Sequence, residues 1–286
     1  MPLRGLRNIK DLYHRLRALK PDILYYLIPE KHLSNLIRHY AFFRACGIRD
    51  IRGLPWSRDL RYPRAVTPGT LWESEASRLL RTIGAQSAPS APDPLDRSLD
   101  LTAEEHAAAG RLLAEESAIE RFVAISVGGK VPINDWGNQN WVNALAAISA
   151  SRPGLGAVFI GSADERERND RLAAAWLGPT LNSCGRLTPR ETAALIQRAD
   201  LFLGHDTGTL HLAAAADTRV VGIFSARNVP GKWYSDRSRD RFLYNKPPCF
   251  GCELEMAKDC PNNVTCMTQH SVEAVVNATV EMLAHV

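Results

Sequence analysis

Residues Gly204 to His211 read Gly-His-Asp-Thr-Gly-Thr-Leu-His, placing one carboxylate, two imidazoles and two hydroxyls within eight positions. They follow the apolar run Leu201-Phe202-Leu203 and precede Leu212-Ala213-Ala214-Ala215-Ala216, so a strand ends where a short Ala-rich helix begins. The unpaired N–H groups of a first helical turn, with the positive end of the helix dipole, make such a junction a place to hold a diphosphate. Asp206 could cap the helix or accept a sugar hydroxyl, and His211 could donate to a phosphate or sugar oxygen. Taken singly, each also has an ordinary structural role, as a capping aspartate and a satisfied buried histidine.

Another chemistry shares part of this string. An apolar strand followed by Asp206-Thr207-Gly208 is also a signature of aspartic proteases, and Val220-Val221-Gly222 mimics their second motif. Against that reading, helix-forming Ala213 to Ala216 stand where a protease continues as strand, and the surroundings alternate strand with helix.

Two further loops carry polar groups. Val127-Gly128-Gly129-Lys130 offers glycines that let backbone approach a ligand and a lysine that could neutralise phosphate, or simply a turn with a solvated lysine. Gly161-Ser162-Ala163-Asp164-Glu165 could present a carboxylate to ribose or sugar hydroxyls, although Ser162 and Glu165 also stand at capping-box spacing. Beyond the last expected strand, Cys249, Cys252, Cys260 and Cys266 follow the pattern C-x2-C-x7-C-x5-C in a Pro-, Asn- and Gly-rich segment. A structural zinc site is one expectation for these four. Its second spacing is wider than that of common zinc ribbons, and unlinked thiols remain the alternative, disulfides being disfavoured in a reducing cytoplasm. Cys46 and Cys184 read as small buried apolar residues.

These loops need a scaffold. Phe122 to Val127, Leu155 to Ile160, Asp200 to Gly204 and Arg219 to Ser225 read as strands. Between them lie helices from Trp141 to Ala150, Asp164 to Leu177, Pro189 to Ala199 and Thr209 to Ala216, with a last helix from Ser271. Strand and helix alternating at this spacing predict a parallel sheet covered on both faces, whose ligands bind at the carboxyl ends of the strands. Upstream, Asp22 to Ile28 reads as a buried strand, Leu33 to Cys46 as a helix, Gln86 to Pro94 as a linker, and Thr102-Ala103-Glu104-Glu105 as a capped helix start. The predicted domains are residues 1–117 and 118–286.

The 286 residues are 45% hydrophobic and 23% charged, a globular composition that excludes disordered, fibrous and disulfide-dense classes. No stretch approaches the ~18 apolar residues that would span a bilayer, and the Arg-rich N-terminus lacks the apolar core of a signal peptide, so a cytoplasmic protein is expected. Of the net +4, residues 1–64 hold 14 Lys or Arg against 5 Asp or Glu, leaving 21 against 26 for the remainder. The basic end suits a phosphate-bearing substrate, an anionic membrane surface or nucleic acid, or it is a solvated face without a partner. No aromatic-basic interleaving or reader helix supports nucleic acid.

The string from Gly204 to Ala215, preceded by Leu187-Thr188-Pro189-Arg190-Glu191, resembles the hallmark of family 9 glycosyltransferases, the lipopolysaccharide heptosyltransferase family. Three stretches agree in order: Val127 to Lys130 with Asn134-Asp135-Trp136-Gly137 and Trp141, then Gly161 to Glu165, then Phe224 to Trp233. The resemblance covers roughly residues 118–286. It implies an α/β fold of GT-B type, two Rossmann-like domains with parallel sheets, in which the C-terminal one binds a nucleotide-activated sugar, an ADP- or UDP-sugar, and the N-terminal one the acceptor. It also implies transfer with inversion to a lipopolysaccharide or related phosphorylated glycolipid at the inner membrane surface, without a catalytic metal. Carried onto this sequence, Lys130 would contact the diphosphate, Glu165 the ribose or base side, and Asp206, Thr207, Gly208 and His211 the diphosphate and sugar.

The chain departs from the family pattern at its start. Members begin with a strand and a glycine-rich loop bearing the acid that deprotonates the acceptor, whereas Met1 to Lys20 reads as a helix leading into a later strand. Asp11 and Asp22 are the only early acids and neither follows a strand in such a loop, so no catalytic base is named. The expectation is a member lacking the front of its acceptor domain, with a donor-binding protein without transferase activity as the alternative.

Overall fold

The computed structural model describes residues 6–85, 98–116, 118–234 and 239–284. The chain forms two compact units, Met1–Asp93 and Pro94–Val286.

The first unit begins with helix α1 (Leu6–Leu19), strand β1 (Ile23–Tyr25), helix α2 (Leu33–Ala45) and strand β2 (Asp50–Arg52). β1 and β2 pair in parallel with Ile23 opposite Asp50 and Tyr25 opposite Arg52, so α2 is the crossover of a β-α-β unit. Only part of the Asp22 to Ile28 run is strand, and its outer residues are exposed rather than buried. The core is small: Tyr26, Leu36 and Leu54, with Leu24, Phe43 and Ile51 against them, and the Tyr26 hydroxyl meets His39 Nδ1 at 2.8 Å. Gly53, at φ +82°, is required where the chain leaves β2, because a Cβ there would stand 2.7 Å from the Tyr26 carbonyl oxygen.

Helix α3 (Arg58–Arg61), the antiparallel pair β3 (Ala65–Thr67) and β4 (Leu71–Trp72), and helix α4 (Glu75–Thr82) complete this unit. The buried face of α4 is charged. Arg81 pairs with Glu73 at 2.5 Å and Asp59 at 3.0 Å, while Arg78 pairs with Glu75 at 2.5 Å and donates to the Leu60 carbonyl. Such a network fixes geometry more than it stabilises, since ion pairing offsets the desolvation cost without much surplus.

The second unit opens with helix α5 (Ala103–Leu113), capped by the Thr102–Glu105 box that the spacing predicts. Then come strand β5 (Phe122–Ser126), helix α6 (Asn138–Ser151), strand β6 (Gly156–Phe159), helix α7 (Arg166–Ala173), strand β7 (Thr180–Asn182), helix α8 (Pro189–Ile196), strand β8 (Leu201–His205), helix α9 (Gly208–Ala215), strands β9 (Val220–Phe224) and β10 (Arg241–Tyr244), and helices α10 (Thr265–Thr268) and α11 (Val272–Leu283). The six strands form one parallel sheet in the order β10-β9-β8-β5-β6-β7.

Alternation explains the apolar runs. Phe122 and Ala124 join Phe202, Val220 and residues of α5, α8 and α9 on one face; Val123 and Ile125 join Leu203, Val221 and residues of α6 and α11 on the other. A strand with both faces covered reads as continuously hydrophobic. The unit starts earlier than residue 118 because α5 belongs to it: Ala109 and Leu112 pack with Leu195, and Glu105 pairs with Arg190. The expected linker from Gln86 to Pro94 lies outside the described residues.

Candidate functional site

After β5 the chain winds outward through β6 and β7, then returns to place β8 beside β5 and continues in the opposite direction through β9 and β10. The reversal between β5 and β8 is the switch point at which open parallel sheets leave a crevice beyond their carboxyl edge. Side chains stitch the two sides of that crevice. The Thr209 hydroxyl donates to Ser126 Oγ at 2.8 Å, Asn134 Nδ2 donates to the Asp206 carbonyl at 3.0 Å, and the Ser225 hydroxyl donates to Asn134 Oδ1 at 2.6 Å. Ends of β5, β8 and β9 are thereby tied together.

The two glycines after β5 are where they are for a steric reason. A Cβ on Gly128 would fall 1.4 Å from Glu165 Oε1, and one on Gly129 would fall 2.7 Å from the Thr207 methyl. The loop therefore lies directly against Glu165 on one side and the β8–α9 junction on the other. Glu165 accepts hydrogen bonds from the Ser162 backbone N–H at 2.7 Å and the Ser162 hydroxyl at 3.2 Å, so the helix-start role and the position at the sheet edge coexist. Lys130, two residues along, is exposed.

At the β8–α9 junction, Asp206 does not cap the helix. Thr207 is the N-cap and makes no side-chain capping bond, its hydroxyl meeting Thr209 Oγ1 instead. The Leu210 and His211 N–H groups turn back to the Thr207 carbonyl, whereas Gly208 and Thr209 lead the helix with no such bond. Space above Gly208 is open, with nothing within 4 Å of a Cβ placed there. The Asp206 side chain is 9% exposed, and His211, 45% exposed, has Nε2 3.9 Å from Asp206 Oδ1. Burial pushes the Asp206 carboxyl up to about 6, against the pull of Arg227 and Lys232. The Asp206-Thr207-Gly208 triplet thus opens a helix, and Val220-Val221-Gly222 is buried inside β9, which disposes of the protease reading.

A cavity of about 210 Å³ opens beneath the first loop, lined among others by Gly128, Gly129, Asn134, Asp135, Arg168 and His205. Burial drives the His205 imidazole down to about 4, so it is neutral at pH 7, and its Nε2 completes no hydrogen bond. Asp135 keeps 42% of its side chain exposed; its partial burial raises its pKa, yet Arg168, donating at 2.9 Å, and the Gly137 N–H hold it below the ordinary carboxylate value. Asn228, buried as well, gives Asp206 a side-chain hydrogen bond that works against the upward shift of its carboxyl. An orphaned polar atom such as His205 Nε2 beside a crevice is a vacant position for a polar ligand.

Five of the six expected donor-site residues, Glu165, Asp206, Thr207, Gly208 and His211, are therefore gathered at one edge of the sheet, with Lys130 on the exposed loop above. Residue-type reasoning overlooked Asn134, His205, Arg227 and Lys232. Arg227 and Lys232 belong to the Phe224 to Trp233 stretch, whose two cations were a usable signal; the burial of Asn134 and His205 had none.

A model of glycosyltransferase family 9 (heptosyltransferase) matches residues 79–253. The chain belongs to that family. Its fold is the α/β GT-B type of known family members. The glycosyl transferase family 9 protein from Veillonella parvula DSM 2008 superposes with a TM-score of 0.68 at 15% identity, covering 99% of this chain and 81% of the other. The ADP-heptose lps heptosyltransferase II of E. coli gives 0.64 at 17% identity, over 97% and 81%. E. coli heptosyltransferase WaaC with ADP-2-deoxy-2-fluoro heptose gives 0.54 at 15% identity, over 98% and 79%. No curated protein matches the sequence.

The expected structural zinc at the four cysteines is not shown. Cys249 and Cys252 are exposed, Cys260 is half-buried with its sulfur accepting the Val264 N–H at 3.4 Å, and Cys266 is buried. Among the described residues no group of three or more His, Cys, Asp or Glu stands ready to hold a metal. Backbone bonds do the fastening: Gly251 N–H to the Ala226 carbonyl at 2.7 Å and Glu253 N–H to the Arg227 carbonyl at 2.8 Å. The segment so fastened carries Glu253 and Glu255, each 3.9 Å from one of the site's cations, Lys232 and Arg227.

Proposed function

We propose that this glycosyltransferase binds a nucleoside diphosphate sugar at the carboxyl edge of its six-stranded sheet and transfers the sugar with inversion to a hydroxyl of a phosphorylated glycolipid of the lipopolysaccharide class. The observation that carries the reading is the β8–α9 junction, where the uncapped start of α9 opens beside two cations and a buried acid. In this reading the Gly208 and Thr209 N–H groups, with Lys232, Arg227 and exposed Lys130, bind the diphosphate. Glu165 serves the ribose side, and Asp206 and His211 the sugar. As the acceptor oxygen attacks the anomeric carbon, the bond to the diphosphate breaks and negative charge grows on the leaving phosphate. A fixed dipole and fixed cations stabilise that charge with little reorganisation.

An ADP-sugar is the first donor to test, because the similar WaaC binds ADP and an ADP-heptose analogue, and a UDP-sugar the second. The reaction belongs on the cytoplasmic side of the inner membrane, where the basic N-terminal unit would meet a phosphorylated acceptor. Thermal unfolding against ADP-, UDP-, GDP- and dTDP-sugars tests the reading. Donor at about 100 times Kd adds roughly 2.7 kcal/mol to a protein that binds it only when folded. A shift with one nucleotide class, lost in Asp206→Ala, is the expected result; a cooperative transition that no nucleotide sugar moves would refute the site.

A further inference from the structure

The first unit exposes apolar side chains that the donor site does not use. Among the described residues, eleven of the thirteen exposed large hydrophobic ones lie between Ile9 and Tyr62. Helix α2 shows why. One side of it, through Leu36 and Phe43, packs against Tyr26 and Leu54. On another side Leu33, Ile37 and Tyr40, spaced at i, i+4 and i+7, form a second stripe that is 45%, 54% and 39% exposed. Trp56, itself exposed, stands edge-to-face on Tyr40 at 5.6 Å and widens the stripe.

The charge around this stripe is predominantly positive, with Glu30, which accepts the His32 N–H at the start of α2, as an acidic exception. Helix α2 contains Arg38, His39 and Arg44 and no acidic residue, and both arginines are exposed. Across residues 1–64 the 14 basic side chains face only 5 acidic ones. A second copy of the chain docked on the same face would bring its arginines onto these arginines, because a two-fold interface sets a patch against itself. Tyrosine and tryptophan with one polar atom each, aliphatic side chains and flanking arginines are what the headgroup region of an anionic bilayer accommodates.

We propose that the Leu33, Ile37, Tyr40 and Trp56 surface of the first unit docks on a lipid bilayer carrying anionic phosphate headgroups, with Arg38 and Arg44 contacting the phosphates. This gives the membrane association in the functional reading a specific surface, and it stands or falls independently of the donor site. On docking, the apolar stripe leaves water for the acyl boundary while each arginine exchanges hydration for the surface potential of the leaflet, a local term that salt screens.

The test is flotation of the full chain with vesicles of phosphatidylcholine alone or with about 30% phosphatidylglycerol. Preferential flotation with the anionic vesicles, reduced at high salt, is expected. Ile37→Glu should lower it at least tenfold and Arg38→Gln with Arg44→Gln roughly 30-fold. Both variants replace exposed side chains, so their melting temperatures and donor-induced shifts should match the parent chain. Equal binding to neutral vesicles, or unchanged binding by Ile37→Glu, would overturn the proposal, as would a stable dimer that Ile37→Glu dissociates or absence of flotation from either vesicle. Donor binding retained in a chain that does not float would sink this surface alone and leave the proposed enzymatic function standing.

Discussion

Replacing Asp206 with asparagine should make the apo protein more stable at neutral pH while removing donor binding. The carboxyl is pushed up to about 6 from an ordinary 3.8. The folded chain therefore binds more protons than the unfolded chain between about pH 4 and pH 6. Stability falls as pH rises through that window, and the loss is complete above it. A difference of about 2 pKa units corresponds to roughly 3 kcal/mol, a ceiling because the asparagine amide has its own buried polar atoms to satisfy. Urea unfolding of both proteins at pH 4 and pH 7.5 measures it. At pH 4 the folded carboxyl is protonated while the unfolded one, close to its ordinary 3.8, is about half ionised, so the variant should gain only about 0.5 kcal/mol. At pH 7.5 it should gain up to about 3 kcal/mol, or roughly 2–4 °C in Tm for each kcal/mol in a unit of this size. His205, whose depressed pKa costs stability as pH falls through about 6.5 toward 4, is present in both proteins and cancels in the difference. A variant less stable than the parent at pH 7.5 would refute the reasoning, because the carboxylate would then be a partnered structural anion.

Arg227→Ala and Lys232→Ala should each weaken ADP binding tenfold or more in calorimetry while leaving adenosine binding nearly unchanged, since both cations act on the charge at Asp206 and in the proposed site would act on the diphosphate in the same way. Glu253→Gln and Glu255→Gln should leave ADP affinity unchanged or raise it a few-fold, because these carboxylates, 3.9 Å from the same cations, compete with a diphosphate for them; a loss of affinity would mean that they hold the cations in place. Gly128→Ala should destabilise the protein by about 1–3 kcal/mol in thermal unfolding, as the new methyl displaces Glu165. Gly208→Ala, with open space around its Cβ, should melt within a few tenths of a kcal/mol of the parent yet bind donor poorly if the ligand closes on that backbone. With a colorimetric disulfide reagent, Cys249 and Cys252 should react at once, while Cys184, buried and pushed up to about 12, reacts only on unfolding.

The central strands β5, β6, β8 and β9 were legible because burial on both faces leaves an unbroken apolar run, and the capping signals at Thr102 and Thr188 marked helix starts that the structure keeps. The strands at the sheet's two edges were not. Thr180–Asn182 is half-buried and polar, and Arg241–Tyr244 begins with an exposed arginine, so neither shows the pattern of a covered strand. In the first unit the apolar run at Ile23 suggested burial, yet its parallel pairing with β2 leaves Ile23 and Tyr25 exposed. Hydrophobic periodicity reports that a side chain favours leaving water; it does not report whether the molecule itself supplies the cover.

The residues of the proposed donor site divide along the same line. Asp206, Thr207, Gly208 and His211 could be placed because a strand-to-helix junction is a local event, contained in a dozen residues. Arg227 and Lys232 reach the junction from the loop after β9, and Asn134 reaches it from a 3-10 turn after β5, so their roles depend on strand order rather than on neighbours in sequence. Strand order also explains the distribution of charge. Arg168 is committed to Asp135 and Asn138 at hydrogen-bonding distance, whereas Lys232 and Arg227 face their carboxylates at a distance longer than a direct hydrogen bond. Arg227 is also positioned by the Leu254 and Glu253 carbonyls, at 2.7 and 3.2 Å, so its largely exposed carboxylate partner can give way to a phosphate at little cost without displacing the guanidinium. A junction that keeps its helix start without a side-chain cap, its cations beyond hydrogen-bonding distance of their carboxylates and its acid at an unfavourable depth sacrifices stability in the empty state, and in the proposed function bound donor recovers it.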